Sequence, residues 1–158
     1  MLVPFSEASH EFLLALFSSH DVQRHLDLPV ESVNEGNISE IYAYYSSSLR
    51  ISFCIEQQKQ LAGFISATLN TKHKTASLSF ALLPQFRHKK LIQNSINTMT
   101  TVLHQHSMVR IEAQVLCTNK ASVHVLQQCG FCCEGKLQKN FMIEQCLMDS
   151  YMMAKIVE

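Results

Sequence analysis

Residues 110–131 constrain the fold of this chain more tightly than any other stretch. Ile111, Ala113 and Val115 alternate with Glu112 and Gln114, the two-residue period of a strand. Ser122, Val125, Leu126 and Cys129 then recur at helical spacing, with Asn119 placed to cap the helix and Gly130 just past its end. Phe131 to Cys133 opens another strand. A strand–helix–strand run at the centre of a mixed sheet implies a crossover and a parallel pair.

The elements before this run are of two kinds. Residues 2–5 are apolar enough for a short strand. Ser6 can cap a helix in which Phe12, Leu13, Leu16 and Phe17 share a face, and Pro29 closes that region. Residues 34–37 read as a loop around Gly36, and residues 38–49 as a second helix with Ile41 and Tyr45 on one side. The period then changes. Ile51, Phe53 and Ile55 alternate with Ser52, Cys54 and Glu56; residues 61–69 form a second strand and residues 76–83 a third, ended by Pro84. Short polar turns between them predict an antiparallel meander. Gly63 marks a bulge or a close approach in the middle strand. Leu91, Ile96, Met99 and Leu103 carry a helix ending near His106, and residues 149–157 form the last strand. The predicted order is α, α, β-meander, α, β, α, β, β. That is an α/β (α+β) fold with a mixed central sheet flanked by helices, in one domain over residues 1–158.

Composition supports a packed globular chain. The 158 residues are 47% hydrophobic and 16% charged, which supplies a core and leaves too little charge for a disordered chain. Formal net charge is zero, so no nucleic-acid partner is expected across the surface. The six cysteines are Cys54, Cys117, Cys129, Cys132, Cys133 and Cys146, several of them inside apolar strand or helix patterns. They read as reduced thiols of an intracellular, cytoplasmic protein. The N-terminus lacks a basic stretch followed by an apolar one, and no apolar run approaches the ~20 residues of a bilayer span. Neither a signal peptide nor a membrane partner is expected.

The segment from Asn119 to Phe131 resembles the Asn-x-x-Ser/Ala … Gly-Phe segment of the GNAT acetyltransferase superfamily. Glu134-Gly135-Lys136-Leu137 is similar to the Glu-Gly-x-Leu/Phe of its Rim-type branch, the ribosomal-protein N-terminal acetyltransferases and their relatives. Asp149 to Ala154 is similar to the final strand of that branch. The likeness in element order covers nearly the whole chain and is sharp from about residue 110 to 154. It implies the GNAT acyl-CoA N-acyltransferase fold, acetyl-CoA as cosubstrate, and Asn119 and Ser122 near the pantetheine or phosphate arm. Without the family, Asn119 is a helix cap and Gly130 and Phe131 are a helix end and a core residue.

The resemblance also places a phosphate loop. The family pattern is Arg/Gln-x-x-Gly-x-Gly/Ala between a strand and a helix, whose N–H groups point at the phosphates. Here the chain reads Arg87-His88-Lys89-Lys90-Leu91-Ile92, directly after Leu82-Leu83-Pro84. Lys90 and Ile92 stand where the family has small residues. Their Cβ atoms crowd the approach of a phosphate, while first-turn amides and the basic run favour it. A CoA site of reduced or altered affinity is expected; a solvated basic turn is the alternative. The backbone of Leu82 and Leu83 is a further candidate for pantetheine, since in the family that strand splays from its neighbour.

Acetyl transfer to an amine needs removal of the amine proton, donors for the oxyanion, and a leaving thiolate, whose pKa of about 8.5 makes it tolerable unaided. The family's tyrosine acid falls at Leu126, which donates no proton. Ser122 is the remaining hydroxyl on that helix face and the candidate acid, with helix packing as its other role. The carboxylate base of many relatives falls at Ser77 or Ser79. Glu112 alternates onto the face opposite Ile111 and suits a solvated or capping role. Glu134 reads as structural, and Tyr151 as core or cleft. Cys129-x-x-Cys132-Cys133 with His104-x-His106 has the spacing of zinc half-sites, but periodicity already explains the cysteines, so no metal is expected. The expected activity is transfer of acetyl from acetyl-CoA to a primary amine, on a protein N-terminus or a small molecule, by a monomer or homodimer. The alternative is a degenerate domain that binds acyl-CoA or a protein partner without catalysis. Acceptor choice is expected to rest on the first two helices and a loop over residues 138–148.

Overall fold

A computed structural model describes residues 1–26, 28, 32–87 and 90–158, with no account of the side chains of residues 24 and 25. The elements in order are β1 (Leu2–Pro4), α1 (His10–Phe17), α2 (His20–His25), α3 (Ile38–Tyr45), β2 (Arg50–Gln57), β3 (Gln60–Asn70), β4 (Thr75–Leu82), α4 (Leu91–Gln105), β5 (Arg110–Leu116), α5 (Lys120–Gln128), β6 (Cys132–Ile143) and β7 (Cys146–Ile156). Seven strands form one sheet in the order β1-β2-β3-β4-β5-β7-β6. Every neighbouring pair is antiparallel except β4 and β5.

A parallel pair is present, but it is β4 with β5 across α4 and not the pair expected from residues 110–133. The second strand–helix–strand run ends differently: β7 inserts between β5 and β6, pairing antiparallel with both. Sequence order alone does not show such an insertion, because a returning strand pairs wherever its apolar face finds cover.

Two cores sandwich the sheet. On one face Ile96, Met99 and Leu103 of α4 and Leu126 of α5 pack on Ile65, Ala67, Ile111, Ala113 and Met153. On the other, Leu13, Leu16 and Phe17 of α1 and Ile41 and Tyr45 of α3 pack on Cys54 and Phe64. Phe17, Tyr45 and Phe64 form an aromatic triad with centroids 4.8–5.5 Å apart, within the favourable range for ring pairs.

Several local expectations are corrected. The cap of α1 is Ser9, whose Oγ accepts from Phe12 N at 3.1 Å; Ser6 lies in a 3-10 turn at Phe5–Glu7. A short helix, α2, follows α1 directly, and Pro29 lies outside the described residues. Residues 138–148 are not a loop. They belong to the β6–β7 hairpin, which turns at Glu144 and Gln145 with φ of 48° and 65°. Two successive positive φ values suit the twist of a tight hairpin, but the pair Glu-Gln lacks the Asn-Gly signature that announces one.

The α5 end is as predicted. Gly130 has φ +86°; its N–H donates to Gln127 O and the Phe131 N–H to Leu126 O, each at 3.0 Å. This is a Schellman motif, with Phe131 and Leu126 both buried in the core beside it. Gly63 is a close approach: a Cβ there would overlap the Ala81 carbonyl oxygen and lie 2.9 Å from Leu82 Cα. Among the described residues no helix is long and apolar enough to cross a membrane.

Candidate active site

The pairing of β4 with β5 stops early. Thr75, Ala76 and Ser77 face Arg110, Ile111 and Glu112, and no pair follows, although both strands continue. From Leu78 onward β4 is held only by β3, and from Ala113 onward β5 is held only by β7. The two strands therefore splay into a V, leaving backbone N–H and C=O groups without a ladder partner on that side. A cleft of about 950 Å³ runs through the V, from the α4 N-terminus to α5 and across to α3.

Arg87, Lys90, Leu91 and Ile92 line one end of the cleft. Lys90 precedes α4 with φ 55° and ψ 9°, in the left-handed region. The position the family fills with glycine is therefore one where the backbone itself favours glycine. No side chain caps this end of α4, so its first-turn N–H groups point toward the cleft mouth. Arg87 Nη1 is 2.9 Å from Asp21 Oδ2, tying the turn to α2. His88 and Lys89, the other two predicted basic residues of the turn, lie outside the described residues.

The α5 end supplies the rest. Asn119 Oδ1 accepts from Ser122 N at 3.2 Å, and both residues line the cleft. Leu82 lines it as well. Leu83 does not: it packs against the α1–α3 core, and its N–H donates to Ala62 O at 2.8 Å. Leu126 is fully buried, so the position of the family's tyrosine faces the core. Ser77 and Ser79 line the cleft wall on β4. The structure thus brings Leu82, Arg87, Lys90, Leu91, Ile92, Asn119 and Ser122 to one cleft. A helix N-terminus, two cations and an unzipped strand edge fit a long thioester bearing a diphosphate.

The remaining titratable candidates serve elsewhere. Arg110 donates to Glu112 Oε2 at 3.0 Å and grips both oxygens of Glu134 at 2.9 and 2.6 Å. The Glu134 carboxyl is held below its ordinary range by these bonds from Arg110. Glu134 of β6 is therefore a structural clasp to Arg110 of β5, and Glu112 steadies the same guanidinium from its own strand. Tyr151 packs at the edge of the main core. All six cysteines are free. Burial, with Glu7 adding to it, pushes the Cys54 thiol up to about 12, which makes it unreactive. Burial also raises Cys129, whose Sγ points at Gln93 O, whereas Cys132 and Cys133 are exposed. Among the described residues no three His, Cys, Asp or Glu side chains converge as metal ligands.

Residues that sequence periodicity did not single out close the far end. A second hollow of about 400 Å³ abuts the cleft, sharing Leu26, Gln114 and Phe141 with it. Gln114 Nε2 donates to Ser150 Oγ at 3.1 Å, and Ser150 Oγ to Asn140 Oδ1 at 2.8 Å, which fixes these neutral polar groups. His20 Nε2 lies 2.6 Å from Glu144 Oε1 at the hairpin tip. With Asp21 on Arg87, the first turn of α2 is pinned on both sides of the opening. Arg50, Tyr44 and His124 also line the cleft. They come from β2, α3 and α5 in turn, and tertiary packing brings them to one cleft.

Residues 1–132 match the family model described as acetyltransferase (GNAT) domain. Over 122 residues the chain is 29% identical to the spermidine N(1)-acetyltransferase of Vibrio cholerae, covering 73% of this chain and 68% of that one. The crystal structure of the Vibrio cholerae spermidine N-acetyltransferase with CoA and spermine superposes with a TM-score of 0.87 at 21% identity, covering 99% and 94% of the two chains. The microcin self-immunity acetyltransferase MccE, in complex with acetyl-CoA and AMP, gives 0.84 at 20% identity over 99% and 91%. RimL, a ribosomal-protein alpha-N-acetyltransferase in complex with coenzyme A, gives 0.83 at 19% over 99% and 98%. The fold is thus common to relatives with different acceptors.

Proposed function

The chain belongs to the acetyltransferase (GNAT) domain family, and from that premise we propose that it moves the acetyl group of acetyl-CoA to a primary amine on a small molecule or a protein N-terminus, with the cleft between β4 and β5 as the site. As an acyltransferase of this family it uses acetyl-CoA as cosubstrate. The observation that carries the assignment of the site is the splay after Ser77, because it joins a helix N-terminus to an unpaired strand edge in one cleft. The unbroken sheet from Leu2 to Ile156 supports reading residues 1–158 as one domain.

In this reading Arg87, Lys90 and the first-turn amides at Leu91 and Ile92 hold the diphosphate, and the unpaired edge of β4 near Leu82 offers backbone groups to the pantetheine amides. Asn119 fixes the first turn of α5, which sets Ser122 against the cleft. In the transfer the C–N bond forms, the C–S bond breaks, the amine gives up a proton and CoA leaves as its thiol. The amine must first be neutral, so a path for its proton to solvent is needed. Exposed His124 on the cleft wall lies on such a path, and Ser122 is the hydroxyl placed to return a proton to sulfur. Leu126, buried, does neither. With a leaving thiol of pKa about 8.5, orientation supplies much of the rate and a weak acid suffices.

Calorimetry with acetyl-CoA and thiol release over a panel of primary amines and peptides test this together. The expected result is binding below millimolar and turnover on at least one amine. Binding without turnover on any amine would refute transfer and leave an acyl-CoA-binding domain. No binding at millimolar acetyl-CoA would refute the site. Ser122→Ala is expected to lower kcat with acetyl-CoA affinity little changed.

A further inference from the structure

Arg50 opens β2 and stands in one row with Thr68 of β3 and Ser77 of β4. Its guanidinium carbon is 3.9 Å from the Tyr44 ring centroid and 5.3 Å from that of Tyr45. All five residues line the cleft. The described ion pairs of arginine and lysine involve Arg87, Arg110 and Lys136; no described carboxylate pairs with Arg50. Stacking on a tyrosine face holds a guanidinium flat and leaves its N–H fork free for two parallel bonds to an anion.

The charge of the cleft is lopsided. Among its described lining residues Asp21 is the one carboxylate, and it is engaged by Arg87, while Arg50, Arg87 and Lys90 are cations. Arg87 and Lys90 belong to the diphosphate end. Arg50 does not. Its row crosses β4 at Ser77, where the V closes, and Leu82 lies five residues further along the strand, about 17 Å away at about 3.3 Å per residue. All the phosphates of acetyl-CoA lie on the far side of its pantetheine arm from the thioester. With the diphosphate at the α4 N-terminus, none of them reaches Arg50. An anion on Arg50 therefore has to come with the other substrate.

We propose that the acceptor is a primary amine that also carries an anionic group, a carboxylate or a phosphate, and that Arg50 recognises that group. The proposal rests on the transfer reading above. It separates this chain from a polyamine acetylase: a polycation entering this cleft meets three cations and no unpaired carboxylate among the described residues. The neutral amides of Gln114 and Asn140 beside the cleft add polar contacts without charge.

The test is thiol release with matched acceptors: an L-amino acid against its amide, phosphoethanolamine against ethanolamine, and spermidine. The anionic member of a pair is expected to have a kcat/KM about tenfold or more above its neutral partner, as a charge-assisted bidentate contact implies. Which pair shows the larger ratio tells carboxylate from phosphate. Arg50→Gln is expected to bring that ratio to near one, and Arg50→Lys to leave it between. A preference for the neutral member or for spermidine overturns the proposal. So does a ratio that Arg50→Gln leaves unchanged, since a purely structural role lowers both members alike. If acetyl-CoA binds but no amine turns over, transfer itself fails, and calorimetry of the same amines on CoA-loaded protein decides. Arg50-dependent binding of the anionic probes supports recognition, and no binding at millimolar concentration overturns it.

Discussion

Replacing Lys90 with glycine tests the phosphate turn at its most unusual residue. Lys90 sits at φ 55°, ψ 9°, where a Cβ costs about 1–2 kcal/mol. Glycine adopts this conformation freely, but its larger freedom in the unfolded chain opposes the gain by about 0.5–1 kcal/mol. The balance is a stabilisation of about 0.5–1 kcal/mol, or about 1–4 °C in Tm for a chain of this size. Lys90→Ala is the partner variant. It removes the same charge but keeps the Cβ and therefore the strain. Thermal melts without ligand are expected to rank Lys90→Gly above Lys90→Ala by about 1 kcal/mol. Calorimetry with acetyl-CoA then compares the same two proteins. Without a Cβ the phosphate approaches the backbone, so the glycine variant is expected to bind about fivefold more tightly than the alanine variant, the equivalent of about 1 kcal/mol. A glycine variant that melts at or below the alanine variant would refute the strain argument. Equal acetyl-CoA affinities would refute the crowding argument.

Asp21→Asn frees Arg87 from its 2.9 Å partner, and competition for the guanidinium predicts a gain in acetyl-CoA affinity of up to about fivefold, from the 0.2–1 kcal/mol of an exposed pair; a loss of affinity shows instead that Asp21 aims Arg87 at the phosphates. Gly63→Ala drives a Cβ into the backbone of Ala81 and Leu82 and is expected to cost about 1–3 kcal/mol, read as a fall of about 2–4 °C in Tm per kcal/mol, and an unchanged Tm contradicts the close approach. The Glu134 carboxyl is depressed by Arg110, so the stability this pair contributes is present above the ordinary carboxylate range of about 4 and is lost as pH falls through the lower folded value. The Tm gap between the wild type and Arg110→Met is therefore expected to narrow between about pH 5 and pH 2, and a gap that stays constant or widens over that range removes the clasp from the account.

The local elements are legible in the sequence. Alternation in residues 51–55 and 110–116, the helical stripe of α4, Asn119 as a cap and Gly130 as a left-handed end were all legible, because each depends on a residue and neighbours a few positions away. The same locality explains the misses. Ser6 and Ser9 are both good caps, and the choice between them depends on where Phe5 and Phe12 bury. The β6–β7 hairpin turns on Glu-Gln because strand pairing on both sides enforces positive φ there.

The site was half legible. The basic turn at Arg87 and the capped start of α5 were readable as segments, and the structure sets both on one cleft. The parting of β4 and β5 after Ser77 is not written in either strand and arises in the folded sheet. Backbone hydrogen bonding lets strands continue together or splay, and the packing of α4 and α5 beneath them selects between the two. Tertiary structure alone puts Arg50, on the second strand, at the foot of the same cleft, since that placement passes through two antiparallel registers, β2 to β3 and β3 to β4. A register shift of one residue would turn its side chain to the other face of the sheet.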